Sequence, residues 1–305
     1  MRVMKRQRGM LKELRRCPSA TVALMVIVAL VLVAFIGPLL ISDNPFDLIN
    51  LDLMAAYTPP IWLDGGDPSW PLGTDDQGRN MVTAMIFGLR TSLLIGLVAV
   101  LIGMVFGVGM GLISGYTGGT VDAVIMRIAD VQLAYPALLI AMIIDGVARS
   151  IKGGALDGKT AVTIVILSIG LSFWVQYART VRSSVMIERN LEYVQAARVT
   201  GLNSRQILLR HILPNIFGPV FVIATINLAI AIITEATLSF LGVGIPLTQP
   251  SLGTLIRNGN TYLNSGEWWI AVWPCLLLVV LVVAVNVFGD WMRDYMNPKL
   301  RRGVR

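Results

Sequence analysis

Long apolar stretches constrain this chain more than any other feature of its sequence. Of its 305 residues, 55% are hydrophobic and 14% are charged, whereas ordinary soluble domains carry about 25% charged residues. Six of the stretches are close to the ~20 residues with which a helix crosses a bilayer. They cover residues 20–41, 92–115, 121–144, 161–178, 216–236 and 268–289. The sequence therefore predicts an all-α, polytopic membrane protein with six transmembrane helices.

Lysine and arginine residues set the expected orientation, because loops that stay in the cytoplasm are enriched in them. They concentrate in the tail 1–19, in the segment 179–210 and in the tail 290–305. An even number of spans puts these three regions on one side, so we expect both termini in the cytoplasm. The segment 42–91 is rich in aspartate and is expected outside the cytoplasm. The run 20–41 is too long for a cleaved signal peptide and is interpreted as an uncleaved first span.

One loop opposes this orientation, because Arg149, Lys152 and Lys159 lie on the expected outer side. The same loop contains the stretch 153–160, Gly-Gly-Ala-Leu-Asp-Gly-Lys-Thr, which fits the pattern of a phosphate-binding P-loop. A working P-loop follows a strand and opens a helix whose N-terminus faces phosphate. This stretch instead joins two membrane spans on the side where ATP is scarce. We therefore predict that it binds no nucleotide.

A polar, basic segment lies between the fourth and fifth spans. We call its residues 188–215 the knob. Residues up to Thr200 favour a helix, and Gly201 offers the left-handed turn that commonly ends one. Asn203 or Ser204 can cap a second helix. Pro214 is expected to end that helix.

The knob has two interpretations between which its residues alone do not decide. Ala196 and Ala197 leave a smooth surface beside the turn, which a cleft on a soluble partner can grip. Alternatively, the knob is an amphipathic helix that rests on lipid, with basic side chains on the phosphates. Those side chains are Arg198, Arg205 and Arg210. The two flanking spans speak against a third interpretation, a DNA-binding helix-turn-helix.

The knob resembles the signature loop of binding-protein-dependent ABC permeases. That loop reads Glu-Ala-Ala, three residues, Gly, nine residues, Ile, one residue, Leu-Pro. This sequence matches it at the right spacing, except that Gln195 replaces the glutamate and His211 replaces the isoleucine. The resemblance implies that the knob couples this subunit to an ATPase. The residues expected in that role are Glu192, Gln195, Ala196, Ala197, Gly201, Leu213 and Pro214.

Four further segments are similar to the "C" subunits of dipeptide, oligopeptide and nickel permeases. They are residues 71–80, 235–244, 250–253 and 290–299. The resemblance covers nearly the whole chain. It implies a MetI-like core of five helices plus an N-terminal helix, with residues 92–289 as the permease transmembrane domain.

The resemblance also implies a function. We expect the membrane-spanning permease subunit of an ATP-driven importer for dipeptides or oligopeptides in a bacterial inner membrane. The implied partners are a homologous second permease, two cytoplasmic ATPase subunits, an extracytoplasmic solute-binding protein and membrane lipid, without nucleic acid. The ATPases would bind ATP and Mg²⁺, so this chain is expected to be non-catalytic, with no cofactor or metal of its own. The same architecture fits nickel, glutathione or another small solute.

Two alternatives of other classes differ in their sequence requirements. A self-sufficient secondary transporter is expected to show inverted repeats, broken helices and several ionisable residues at mid-membrane. The sequence shows none of these clearly. A membrane anchor for a cytoplasmic enzyme explains the knob but leaves the acidic outer segment 42–91 without a role.

Four glycines in the second span are spaced four residues apart, at Gly103, Gly107, Gly111 and Gly115. Residues at this spacing share one helix face, so a neighbouring helix can approach closely. We predict a packing seam there, either static or able to slide during gating.

Charged residues near the membrane are few. Arg127 and Asp130 are three residues apart in the third predicted span, where they favour a local ion pair. Glu235 lies late in the fifth span, and a carboxylate inside a membrane is a candidate for function. Its role, in the solute pathway or in the structure, stays open at this point.

Overall fold

The computed structural model describes residues 13–41, 44–47, 51–153, 157–246 and 249–296. Most of both predicted basic tails lies outside these described residues. Within them the protein is almost entirely helical. The helices are α1 (Pro18–Leu40), α2 (Met81–Thr117), α3 (Gly119–Leu133), α4 (Ala137–Lys152), α5 (Gly158–Glu188), α6 (Glu192–Val199), α7 (Ser204–Phe240), α8 (Leu252–Tyr262) and α9 (Trp269–Met296).

Five of these helices are long and apolar enough to cross a membrane: α1, α2, α5, α7 and α9. The pair α3 and α4 passes the same test jointly, although its two helices meet at 89°. The described residues therefore contain five spans, or six if the bent pair is one span. The predicted all-α, polytopic fold class is confirmed.

The third predicted span is not one helix. The prediction of a continuous helix over residues 121–144 is wrong, because the chain breaks between Leu133 and Ala137. The cause is Pro136, which has extended backbone angles (φ −57°, ψ 136°) and precedes the first turn of α4. Proline has no N–H to donate, and it disfavours helical geometry in the residue before it. Both effects end α3 here.

The helices also extend beyond the predicted spans. The second span was predicted over 92–115, but α2 contains 37 residues, a length of about 55 Å at 1.5 Å per residue. It begins at Met81, so residues 81–91 of the segment predicted to lie outside the cytoplasm are part of α2. The side chain of Asn80 accepts a hydrogen bond from the backbone N–H of Val82 at 2.9 Å and so caps α2.

The four glycines of α2 lie directly against α5. A Cβ atom added to Gly107 would stand 2.3 Å from the carbonyl oxygen of Trp174, and one added to Gly111 would stand 2.6 Å from that of Ala178. Gly103 and Gly115 make similar approaches to α5. Since any side chain would displace the neighbouring backbone, α2 and α5 pack as one unit at these four positions.

The remaining helices surround this unit. The long helix α7 packs against α2, α5, α8 and α9, and α1 packs at the edge against α2 and α9. The largest buried apolar cluster lies between α2, α5 and α7 and includes Ile95, Phe173 and Val220.

Residues 51–80, from the segment predicted to lie outside the cytoplasm, form a compact cap with α8; we call this stretch the outer segment and its end of the bundle the outer end. Asp75 is fully buried and accepts hydrogen bonds from Nε of Arg79 at 2.6 Å and from two backbone N–H groups. Burial raises the pKa of Asp75, and the Arg79 guanidinium opposes that shift. Asp76 accepts a hydrogen bond from Asn258 of α8 at 2.6 Å. These contacts hold the outer segment together and join it to α8.

Candidate coupling surface and the polar anchors behind it

The first half of the knob is α6, which ends in a Schellman turn. Gly201 is left-handed (φ +79°). Its N–H donates to the carbonyl of Arg198, and the N–H of Leu202 donates to that of Ala197. This pattern of bonds satisfies the last carbonyls of a helix and requires the conformation that glycine adopts most easily.

The second half of the knob begins with a capping box between Asn203 and Gln206. The expectation that Pro214 ends this helix is wrong, because α7 continues through it to Phe240. A π-helical turn at Ile207–Ile212 precedes the proline, and the N–H of Leu213 donates to the carbonyl of Leu208, five residues back. The wider turn accommodates a residue that cannot make the usual bond to the carbonyl four residues back.

The knob divides into a buried face and an exposed face. Val194, Ile207 and Ile212 are buried against the bundle, and burying such side chains stabilises a structure by about 1.5–3 kcal/mol each. Ala197 is also buried, at 7% exposure, so the prediction of an exposed surface at this position is wrong. Ala196 is exposed, as are its neighbours on the same face. They are Glu192, Gln195, Val199 and Leu202, of which Val199 is 89% exposed.

The last two residues expected in the coupling role lie apart from that exposed face. Leu213 is half-buried and Pro214 is exposed, and both lie in the first turn after the π-helical segment. The structure thus places Glu192, Gln195, Ala196 and Gly201 on the knob surface and Ala197 beneath it.

The knob is anchored to the helices on either side of it. The hydroxyl of Tyr193 donates to the carboxylate of Glu188, at the end of α5, and accepts from Asn215 of α7 at 3.0 Å. Partial burial, followed by the bond with Glu188, raises the pKa of Tyr193, so its hydroxyl keeps the proton that it donates. This residue joins the two helices from which the knob projects.

Two arginines anchor the knob to the end of α2. Arg189 donates to the carbonyls of Gly115 and Tyr116 at 2.9 and 3.3 Å. The guanidinium of Arg198 lies 5.3 Å from the ring centre of Tyr116, at cation–π distance. Arg198 is therefore engaged by the protein itself, and the apolar face of the knob covers the bundle. Both observations favour a knob that binds a partner protein over an amphipathic helix that lies on the lipid headgroups.

The ion pairs of α3 cross to α5 instead of forming within one helix. The expected Arg127–Asp130 pair is wrong, because Asp130 pairs with Arg179 of α5 at 2.5 Å. Asp122 accepts two bonds from Arg182, at 2.5 and 2.6 Å, and is buried beside them. Spacing along one helix predicted a local pair, whereas the packing of α3 against α5 supplied different partners.

Glu235 of α7 lies in a fully buried polar anchor at the outer end of the bundle. It accepts hydrogen bonds from Ser92 of α2 at 2.6 Å and from Ser239 at 2.8 Å. Ser92 in turn accepts the backbone N–H of Leu252 at 3.2 Å. The anchor joins α2, α7 and the start of α8. The serines were not predicted as partners of Glu235, although the spacing of four between Glu235 and Ser239 already puts both on one helix face.

Two of the three basic residues that opposed the expected orientation are paired locally. Arg149 lies 2.6 Å from Asp145 and also donates to the carbonyl of Gly244 at 3.2 Å. Lys152 lies 3.5 Å from Asp157. Their charges are thus balanced within the same loop region.

The P-loop-like stretch 153–160 joins two helices. Gly153 ends α4 and Asp157 caps α5, while residues 154–156 lie outside the described part of the chain. The element before the stretch is therefore a helix, whereas a P-loop follows a strand.

The fold and the anchored knob together define a helical membrane protein of the transport-permease class. Two family models match the chain. Residues 107–302 match the model described as "Binding-protein-dependent transport system inner membrane component". Residues 8–60 match the one described as "N-terminal TM domain of oligopeptide transport permease C".

Curated relatives extend the likeness over most of the chain. The dipeptide transport system permease protein DppC of Haemophilus influenzae is 34% identical over 93% of this chain and 92% of its own. The di/tripeptide transport system permease protein DppC of Pseudomonas aeruginosa is 36% identical over 81% of this chain and 78% of its own. The oligopeptide transport system permease protein OppC of Bacillus subtilis is 34% identical over 93% of this chain and 86% of its own. The chain belongs to the family of inner membrane components of binding-protein-dependent transport systems.

Solved structures support the fold. A chain of the MetNI methionine ABC transporter in an inward-facing conformation superposes with a TM-score of 0.55 at 20% identity, over 71% of this chain and 98% of that chain. A chain of an amino acid ABC transporter solved with histidines gives a TM-score of 0.51 at 15% identity, over 69% of this chain and 93% of that chain. At these identities the likeness shows the helical architecture alone.

Proposed function

We propose that this chain is the permease subunit of an ATP-driven importer that moves dipeptides or oligopeptides across the inner membrane of a bacterium. The relatives named above transport dipeptides, di- and tripeptides or oligopeptides, according to their names. Nickel, glutathione or another small solute is the alternative, since the same architecture fits these substrates. Uptake of a labelled dipeptide by cells that carry the complete system, with nickel and glutathione as competitors, tests the choice. Uptake of one competitor in place of the peptide would contradict it.

The observation that carries the coupling role is the exposed face of the knob. Its turn is closed by two backbone hydrogen bonds, its opposite face buries Val194, Ile207 and Ile212, and it is anchored to α2, α5 and α7. A partner that displaces this face therefore displaces three membrane helices together. We assign the face to contact with a cytoplasmic ATPase subunit.

The mechanism proposed from this assignment is alternating access. Two ATPases close when ATP binds, displace the knobs of two homologous permeases, and tilt the helices so that the solute path opens to the other side. Only a ligand that binds the two states differently can drive such a change. ATP at the ATPases is that ligand, and a docked solute-binding protein supplies the solute. In this proposal the chain itself is non-catalytic and holds no ATP or Mg²⁺.

The break between α3 and α4 is one feature that the secondary-transporter alternative also predicted. The two aspartates of α3, Asp122 and Asp130, are each held by an arginine of α5, which fits a structural role for these charges better than a proton or ion path. We therefore retain the importer as the proposed function.

The exposed residue Ala196 of α6 allows a test of the coupling face. Ala196→Asp adds a charge on the exposed face and should release the ATPases during co-purification while the permease still accumulates. Met54→Asp, at a side chain that is 97% exposed in the outer segment, is the control and should leave co-purification unchanged. Normal co-purification and normal uptake with Ala196→Asp would contradict the assignment.

The proposed orientation has its own test. Single cysteines at Asp64 and Arg301, in a variant without Cys17 and Cys275, are exposed to a reagent that does not cross the inner membrane. Labelling at Asp64 and protection at Arg301 are expected if both termini are cytoplasmic. The reverse pattern would overturn the orientation.

A further inference from the structure

The break between α3 and α4 leaves irregular backbone on the surface of this chain. Helix α3 ends at Leu133 and α4 begins at Ala137, and residues 133–136 are all exposed. The last carbonyl groups of one helix and the first N–H groups of the next have no partners within their own helices. The side chain of Tyr135, which is 59% exposed, adds a hydroxyl group to the same surface.

Contacts with the continuous helix α5 give the depth of this break. Asp122, near the start of α3, is bonded to Arg182 in the knob half of α5, and Lys152, at the end of α4, is bonded to the first turn of α5. Between these contacts, Gln132 donates to the carbonyl of Leu171 at 2.5 Å. Leu171 is the fourteenth of the 31 residues of α5, about 20 Å from the start of that helix. The break therefore lies near the middle of the bundle.

A membrane accepts such backbone only where lipid does not reach it. Hydrocarbon offers no hydrogen bonds, so irregular backbone at membrane depth is found where it is buried in protein or lines a water-filled cavity. The hydroxyl group of Tyr135 has the same requirement, since tyrosine in membrane proteins concentrates at the boundary with water. The surface around the break is therefore covered either by the second permease or by water.

Charged and polar side chains lie on the knob side of the break. Asp130 of α3 is 53% exposed and its partner Arg179 of α5 is 47% exposed. Gln176 lies three residues before Arg179, on the same face of α5, and is also exposed. Arg127 is exposed on α3, and a cavity of about 430 Å³ lies against Arg127 and Asp130. We call these four residues the polar face.

The exposure of the polar face favours water over a dry contact with another subunit. Charges that a protein covers lose their hydration, and further hydrogen bonds must then satisfy them. Among the described residues, the side chain of Arg179 makes one hydrogen bond, to Asp130, although a guanidinium has five N–H donors. The helix α1 shows the opposite pattern, because its exposed side chains from Val22 to Leu40 are all apolar, as contact with lipid requires.

We propose that the break and the polar face line the water-filled path of the solute, and that Tyr135 contacts the peptide in transit. The irregular backbone offers both N–H and C=O groups, which are the groups that a peptide backbone pairs with, and the tyrosine ring presents an apolar face and a polar tip. The charge pair between Asp130 and Arg179 holds α3 to α5 at the edge of this path. This inference rests on the proposed function as a peptide importer.

The test measures the access of water to the break. Leu133→Cys, Ala134→Cys and Tyr135→Cys are made singly in a variant without Cys17 and Cys275, and each is assembled with its ATPases and binding protein in membrane vesicles. A charged, water-soluble methanethiosulfonate reagent is then supplied on both sides of the membrane. Because three neighbouring exposed positions are used, the result does not depend on the assembly of any single variant.

Val28→Cys on α1 is the matched control. Val28 is 47% exposed and is the eleventh of 23 residues in its helix, so its exposure and depth are similar, but its surroundings are apolar. The cysteines at the break should react about tenfold faster or more, since the reagent attacks the thiolate, which forms in water and not in hydrocarbon. A dipeptide that occupies two thirds of the transporters should slow the reaction at Tyr135→Cys by about threefold and leave that at Val28→Cys unchanged.

Three results would speak against these assignments. Reaction at the break as slow as at Val28→Cys would show that the second permease covers it, and would overturn the proposal. Fast reaction that the dipeptide does not slow would also overturn it, because the break would then face water away from the solute. Protection by nickel or glutathione in place of the dipeptide would contradict the proposed peptide substrate instead, and would still place the break on the solute path.

Discussion

The two ends of this membrane bundle are built in different ways. The outer end is held by buried polar contacts: Glu235 with two serines, Asp75 with Arg79, and Asp76 with Asn258. The knob at the other end buries an apolar face, is bonded through Tyr193, Arg189 and the ring contact of Arg198, and leaves Val199 exposed on its other face. An end that must keep helices together needs internal contacts, whereas an end that receives a partner needs a rigid surface with free side chains.

Two glycines express the same difference. At the outer end, a Cβ atom on Gly253 of α8 would stand 2.4 Å from the carbonyl oxygen of Ala236, so this glycine permits close packing. At the knob, Gly201 has open space around it and is required for its positive φ. One glycine serves the contact between two helices, and the other serves the shape of one turn.

The largest effect is expected at the outer glycine. Gly253→Val forces α8 away from α7 and should destabilise the protein by about 3 kcal/mol or more. The measurement is the amount of folded permease in membranes and its melting temperature after purification. Gly146→Val on α4, where a Cβ atom meets nothing within 4 Å, is the control. Equal yields of the two variants would remove the distinction between packed and open glycines.

Glu235→Ala is expected to have the next largest effect. It leaves Ser92 and Ser239 without their buried acceptor, which costs about 1–3 kcal/mol, and it frees the start of α8. Glu235→Gln keeps an acceptor oxygen and the side-chain shape, so it should retain most of the stability. The measurement is the melting temperature of both variants. An equal decrease in the two would show that the charge of Glu235 matters more than its hydrogen bonds.

A smaller effect on stability, but a larger one on coupling, is expected at the knob. Gly201→Val strains the left-handed turn by roughly 1–2 kcal/mol and changes the angle between the two halves of the knob. The permease should still insert, yet co-purify with less ATPase and transport less per ATP hydrolysed. Gly201→Asn should restore part of both, since asparagine enters this conformation more readily. Normal coupling in the Gly201→Val variant would favour the alternative in which the knob lies on lipid headgroups.

The smallest effect is expected at the P-loop-like stretch. Lys159 is exposed in the first turn of α5, so Lys159→Ala should change stability by no more than about 0.5 kcal/mol and leave ATP hydrolysis by the assembled complex intact. A large loss of hydrolysis with normal assembly would show that this stretch binds nucleotide after all.

Much of the site could be predicted locally. The turn at Gly201 follows from a helix-forming run followed by glycine, whereas the cap at Asn80 was not predicted, because the second span was expected to begin only at residue 92. Ala196 and Ala197 could not be told apart, because adjacent helical residues differ only in which one faces the bundle. The helix α8 was also missed, because its burial depends on contacts with α2, α7 and α9.

The sequence by itself determined the class of this protein, five of its six predicted spans within a few turns, and the position of the knob in the chain, because hydrophobic length and turn residues act locally. Tertiary structure alone decided the partners. Asp130 pairs with Arg179 and Glu235 with Ser92, each across two helices that are far apart in the chain. Such pairs depend on how helices cross, and helix crossing is set by the packing of whole faces, not by any short stretch of residues.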